Sequence, residues 1–293
     1  MKILLIGNLY SRAGTSCIFV IKALQELRHD VTIWDPINCI KPPKRNYDIA
    51  LSWSNKKHDI NLIKAKKKIL YYLEDAEYAS NQKDYPLVEL LDYTKYYNQF
   101  FTMNKIPGYE DHWLPMGADP EQFKPIPARV FEKNVLFIGT FRGKEREEFI
   151  NDVRNRLKEK GISLKIIGNG WNGHEGWAGQ AVYLNDLNYA MNCFKITINK
   201  HIGNLSPSQK VHQIICNGST LLISDDKEAY KECYPMAPVW KNNDDLVEKI
   251  QYYLEHEEER EKLVNEMREK AIKDYPYKEQ LKKLLNFKTI FNN

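Results

Sequence analysis

The stretch NVLFIGTFRGKEREEFINDVRNRLKEKGISLKIIGNG, residues 134–170, decides the fold. An apolar run, VLFI, stops at Gly139, and a second, LKII, stops at Gly168. Between them Phe149, Ile150, Val153 and Leu157 recur at helical spacing within a charged segment, the pattern of a helix with one buried stripe. Two buried strands joined by a helix cannot make a hairpin. They lie parallel in one sheet, linked by a right-handed crossover.

The same rhythm continues in both directions. Downstream come KITINKH (195–201), a short helix within SPSQKVHQIICNG (206–218), and TLLISDD (220–226). Upstream, KILLIG (2–7), DVTIWD (30–35), YDIALSW (47–53), KKILYYLED (67–75), QFFTMN (99–104) and HWLPMG (112–117) read as strands of an earlier sheet. Thr15 or Ser16 caps the helix after the first strand, with Ile18, Ile21, Leu24 and Leu27 as its inward stripe. The Pro-rich DPEQFKPIPARVFEK (119–133) reads as a linker. The expectation is an α/β protein of two doubly wound, Rossmann-like domains facing a central cleft. Residues 1–123 form the first domain and 124–274 the second; 275–293 is a helix returning to the first.

Composition narrows the class. The 293 residues are 43% hydrophobic and 28% charged, a globular balance, and no apolar run reaches the length of a membrane span. Five scattered cysteines form no C-x-x-C pair, against a disulfide framework or structural zinc. A reducing, cytoplasmic setting is expected. The net charge of +4 hides segregation: residues 41–68 carry nine Lys or Arg against two Asp, and 69–123 carry three against ten acidic residues. The 41–68 block is either a solvated face or a surface for a polyanion such as DNA.

In open α/β sheets ligands bind beyond the carboxyl ends of the strands, so the loops there are where binding chemistry is expected. Gly139, Thr140, Arg142 and Lys144 stand at a strand-to-helix junction, where backbone N–H groups and cations suit a diphosphate. No Walker loop or G-x-G-x-x-G is present. Gly168 and Gly170 admit either a ligand or a tight turn, and Trp171 either walls a pocket or fills the core. In the short helix, Ser206 is expected as N-cap, Pro207 at the first position, and Gln209 closing a capping box with Ser208 beside it. Val211, Ile214 and Ile215 point inward and Gly218 stops the helix. Lys210, in the first turn, opposes the helix dipole by roughly 0.3–1 kcal/mol, a cost that a bound phosphate would reverse. His174 and His201 read as surface histidines, and Asp225–Asp226 as polar strand-end residues rather than metal ligands.

VLFIGTFRGKEREEFI, LKIIGNGW, LNDLNYAMNCFKITIN and SPSQKVHQIICNGSTLLISDD, in that order, resemble the donor-binding half of GT-B glycosyltransferases, nearest the CgeB-like and group-1 families. The resemblance covers about 134–275 and extends to YYLED and WLPMGADPEQFKP in the first half. It implies transfer of a sugar from a nucleotide-diphosphate sugar, with UDP as the nucleotide, to an acceptor hydroxyl with retention, without metal or other cofactor. Lys210 stands at the family's basic diphosphate contact, and Gln213 where the family has a ribose-binding Glu; Leu205 replaces the first Glu of its E-x7-E pattern. Asp75, then Glu74, at the end of KKILYYLED, are the acceptor-side carboxylates, and Arg12 and Gly14 face the same side. The acceptor is a glycan, a protein or, through the 41–68 block, a hydroxymethylated base in phage DNA. The departures at 205 and 213 leave two rivals open, a catalytically degenerate sugar-nucleotide-binding protein and a nucleotide-sugar epimerase.

Overall fold

A computed structural model describes residues 1–7, 16–36, 38–39, 41–53, 60–73, 94–106, 108–131, 134–201 and 206–286. The chain divides into two compact units. The first comprises Met1–Gly117, Ile202–Ser208 and Asp274–Asn293; the second comprises Ala118–His201 and Gln209–Lys273.

The first unit holds a five-stranded, all-parallel sheet in the order β2-β1-β3-β4-β5. Its strands are β1 (Lys2–Ile6), β2 (Asp30–Trp34), β3 (Tyr47–Trp53), β4 (Ala65–Tyr72) and β5 (Gln99–Thr102). Ile3, Leu4, Leu5 and Ile6 are fully buried, as expected of a strand covered on both faces. HWLPMG forms no sixth strand: Trp113 makes one isolated bridge to Thr102, and its indole bonds back to Met103 O. Pro115 has no N–H to give a ladder, and residues 114–117 belong to no strand.

Helix α1 (Ser16–Glu26) buries Cys17, Phe19, Val20, Ala23 and Leu24, so the expected Ile18/Ile21 stripe is rotated. In a segment as apolar as CIFVI the period is ambiguous, and the small Cys17 and Ala23 select the face that approaches the sheet closely. The Ser16 hydroxyl accepts from Trp53 Nε1 at 2.8 Å. Trp53 stacks on Tyr71 at 3.9 Å, and Tyr277 lies on Phe19 at 5.6 Å.

The second unit holds a six-stranded parallel sheet, β11-β10-β9-β6-β7-β8. The strands are β6 (Asn134–Ile138), β7 (Ser163–Ile167), β8 (Trp177–Gly179), β9 (Ile196–Asn199), β10 (Leu221–Asp225) and β11 (Val239–Trp240). Its helices are α2 (Lys144–Glu159), α3 (Leu184–Asn192), α4 (Gln209–Asn217), α5 (Glu228–Cys233), α6 (Asn243–Glu255) and α7 (Glu257–Asp274). Helix α2 buries Phe149, Ile150, Val153 and Leu157, as its period predicts. The chain leaves β6 toward β7 but reaches β9 on the other side, so the switch in winding direction lies between β6 and β9. Helix α8 (Tyr277–Asn286) packs on α1 in the first unit. The described helices include none long and apolar enough to cross a membrane.

The linker is fastened to the second unit by three buried asparagines. Asn188 Oδ1 accepts from Lys124 N at 3.0 Å, and Asn192 Oδ1 from Ile126 N at 2.8 Å. Asn217 Nδ2 donates to Asn188 Oδ1 at 2.7 Å, which ties α3 to α4. These side chains satisfy linker backbone that has no sheet to join.

Candidate active site

Helix α4 begins at Gln209, so Ser208 rather than Ser206 occupies the capping position. The Ser206 hydroxyl is engaged elsewhere, accepting from Lys105 N at 3.1 Å. Every residue from Val211 to Asn217 is buried, far more than one stripe, because α4 is covered by the sheet and by α3. Gly218 ends the helix at φ +70, as its position predicts. Gln213 is 6% exposed.

Lys210 does not reach into solvent. Its residue is half-buried, but the ammonium is the enclosed end: it donates to Ile138 O at 2.6 Å and lies 5.7 Å from the centre of the Phe137 ring. Enclosure first, then the neighbouring Arg146, pushes its pKa down to about 7, while Asp225 pulls the other way. This lysine is therefore half-charged near neutrality.

Arg146, at the same strand-to-helix junction but not among the expected diphosphate contacts, is 7% exposed. Its Nη1 donates to Thr140 O at 3.0 Å and its Nη2 to Lys200 O at 3.1 Å. Its guanidinium sits 5.8 Å from the same Phe137 ring. Burial and Arg142 lower its pKa to about 10, against the pull of Asp225 and Glu145. The signal was available in principle: it is the first arginine on the helix after β6 and falls on the face shared with Phe149 and Ile150.

The cations picked from sequence sit differently. Lys144 has an 87% exposed side chain, 3.5 Å from Glu148. Arg142 is exposed beside the loop, near enough to Arg146 to affect it. Thr140 is exposed, and its carbonyl is the one Arg146 holds.

The glycines pack loop against loop. A Cβ on Gly168 would meet Gly139 O at 2.1 Å, so the closely approaching group is protein backbone. Gly170, at φ +82, carries the turn over Phe141. Trp171 is fully buried and is a core residue, not a stacking platform. Its indole donates to Gly139 O at 2.7 Å, and it meets Phe137 and Phe141 edge-on.

His201 is likewise no surface histidine, with a side chain 6% exposed. It stands just past β9, and both its backbone N–H (3.0 Å) and Nδ1 (2.6 Å) face Asp225 Oδ1. That pairing holds the Asp225 carboxyl below its usual pKa in spite of burial. His174, half-buried, lies 3.5 Å from Glu147. Asp226 pairs with Lys231 at 2.6 Å. Beyond this cluster a groove of ≈ 720 Å³ runs over the Phe149–Trp240 stack, edged by Lys200, Asp225 and Lys227. Among the described residues no three potential metal ligands come together. Arg12, Gly14, Glu74 and Asp75 lie outside the described residues.

Two enclosed cations thus meet at the carboxyl ends of β6 and β9, at the switch point where α/β sheets hold ligands. Residues 144–286 match the family described as glycosyl transferase-like. The chain has the fold of the GT-B glycosyltransferases. HepE of Anabaena, solved in complex with UDP-glucose, superposes with a TM-score of 0.71 at 10% identity, covering 97% of this chain and 98% of that one. A glycosyltransferase from Rickettsia africae ESF-5 gives 0.66 at 12%, with 97% and 96% covered. An alpha-glucosyltransferase, in complex with UDP and a 13-mer DNA containing a central A:G mismatch, gives 0.63 at 12%, with 97% and 99% covered. At these identities the likeness is one of fold. No curated protein sequence matches the GT-B chain significantly.

Proposed function

We propose that this chain is a glycosyltransferase that moves a sugar from a UDP-sugar to an acceptor hydroxyl, with retention and without a metal. The observation that carries the reading is the pair Lys210 and Arg146, enclosed together at the β6–β9 switch point. The bond from the sugar C1 to the β-phosphate oxygen breaks, and its electron pair leaves with UDP. Positive charge fixed beside that phosphate lowers the barrier, because it meets negative charge as it develops. Lys210 and Arg142 are the side chains proposed to face the diphosphate; Gly139, Thr140 and Lys144 belong to the loop beside it, and Gln213 faces the ribose. The acceptor oxygen bonds to C1 from the face that UDP leaves, and its proton passes to the departing phosphate. Asp75 and Glu74 orient that hydroxyl in this reading.

The chain is also similar to HepE solved in complex with UDP and glucose, and this supports UDP as the nucleotide. Incubation with a panel of nucleotide sugars tests it. UDP release, with the anomeric configuration of the product read by NMR, is the expected result. An isomerised donor would make the chain an epimerase, and binding without turnover a degenerate module.

A DNA acceptor is the second reading. An alpha-glucosyltransferase of this fold was solved with DNA containing an HMU base, and a beta-glucosyltransferase of this fold is named as a DNA-modifying enzyme. On the present chain, Lys66 in β4 is 82% exposed within the basic 41–68 block. Binding to hydroxymethylated duplex that weakens steeply with salt supports this acceptor; a flat, weak response removes it.

A further inference from the structure

Arg146 reaches across the switch point. The carbonyl of Thr140 follows β6 and that of Lys200 follows β9, two neighbouring parallel strands whose chains depart in opposite directions. One planar guanidinium holds both. On the same Phe137 ring sits Lys210, whose ammonium is bonded to the Ile138 carbonyl. Among the described residues no carboxylate lies within 4 Å of either cation. Asp225, the strongest acidic influence on both, is engaged by His201 at 2.6 Å and has Lys227 at 4.0 Å.

We propose that Arg146 is a positioning residue of the donor subsite that acts through Lys210: it clamps the two flanking loops and, as a permanent cation on the shared ring, makes protonation of Lys210 depend on an incoming diphosphate. This rests on the reading of the site as one for a nucleotide sugar. Arg146 keeps its proton at neutral pH even with its pKa lowered to about 10, so of the two enclosed cations the lysine is the one that yields. The groups acting on Lys210 are Arg146 from α2 and Asp225 from the end of β10; Ile138 and Phe137 of β6 offer a carbonyl and a ring face only. The resulting pKa of about 7 leaves the empty site with one firm positive charge rather than two. A diphosphate restores the second by pairing with it. The enzyme takes up a proton as it binds UDP, and above pH 7 apparent affinity falls about tenfold per unit as the protonated fraction shrinks.

Two measurements test this. In the first, lysines of the ligand-free protein are acetylated competitively from pH 6 to 10 and read by mass spectrometry. Lys210 is expected to titrate near 7, and in Arg146→Met its midpoint rises. Arg146→Lys keeps the midpoint low, because the charge remains, but raises KM for the donor because a lysine cannot bridge both carbonyls. An unchanged midpoint in a folded Arg146→Met protein overturns the proposal.

In the second, UDP binding is followed calorimetrically at pH 8 in two buffers of different ionisation enthalpy, where the terminal phosphate is fully ionised. Wild type is expected to take up close to one proton and Arg146→Met clearly less. UDP binding without proton uptake overturns the proposal and leaves the UDP reading intact. Failure of wild type to bind UDP overturns the UDP reading instead, and the labelling result then decides the role of Arg146.

Discussion

Arg146 and Lys210 lie 5.8 and 5.7 Å from the centre of one ring, that of Phe137, at the end of β6. Both are backed by backbone carbonyls rather than carboxylates, so the molecule holds a local excess of positive charge. Such an arrangement costs stability in the empty protein and is recovered when an anion binds.

Replacing the lysine exposes that cost. Its pKa is lowered on folding from 10.5 to about 7, so the penalty is full below pH 7 and fades as pH rises toward 10.5. Lys210→Met is expected to melt higher than wild type at pH 6, by about 2–4 °C for each kcal/mol relieved, and to match it near pH 10.5. The same variant loses UDP affinity. Thermal melts across pH check the first point, and a variant binding UDP like wild type would remove Lys210 from the site.

Asp225 acts in the opposite sense to Arg146. Asp225→Asn removes the one group pulling the Lys210 pKa upward, so Lys210 titrates still lower and UDP affinity begins to fall at a lower pH. The native carboxyl, held below its unfolded pKa by His201, adds stability above pH 3.8 that is lost as pH falls through its folded value. Acid unfolding of the variant therefore loses that component.

Trp171 separates core from platform. Trp171→Phe gives up the 2.7 Å bond to Gly139 O and some packing, an expected loss of roughly 1–3 kcal/mol. Denaturant unfolding shows this directly. Unchanged stability with a large rise in donor KM would return Trp171 to a stacking role.

Two glycines of one loop region give contrasting outcomes. Gly168→Ala drives a methyl to 2.1 Å from Gly139 O and is expected to collapse the loop pair, with several kcal/mol lost. Gly173→Ala, at φ +84 with open space around its Cβ, costs only about 1 kcal/mol of backbone strain. Circular dichroism melts of the two variants distinguish them.

The buried Gln213 offers a gain. Gln213→Glu places a carboxylate one turn after Lys210 on α4, where it can pair with the lysine and with a ribose hydroxyl. Its burial makes the ligand-free variant less stable. UDP is expected to raise its Tm more than that of wild type; an equal shift would place Gln213 away from the ribose.

By itself the sequence determined the layers of this protein. Apolar runs of strand length, alternating with helix-period segments such as Phe149–Leu157, allow only parallel sheets with crossovers, and Gly218 had to end its helix. The motif order brought Lys210 and the 139–144 loop into view because local spacing encodes strand-end loops. Only tertiary structure decided which cations meet. Arg146 lies 64 positions from Lys210 in the chain; its spacing from Phe149 and Ile150 puts it on the inward face of its helix, but no local signal says that its guanidinium will cap two strand ends beside Lys210. Whether Trp171 and His201 are inside or outside was likewise settled by long-range packing, against Phe137 and Asp225. Burial, and with it the charge state of Lys210, belongs to the assembled unit rather than to any segment of it.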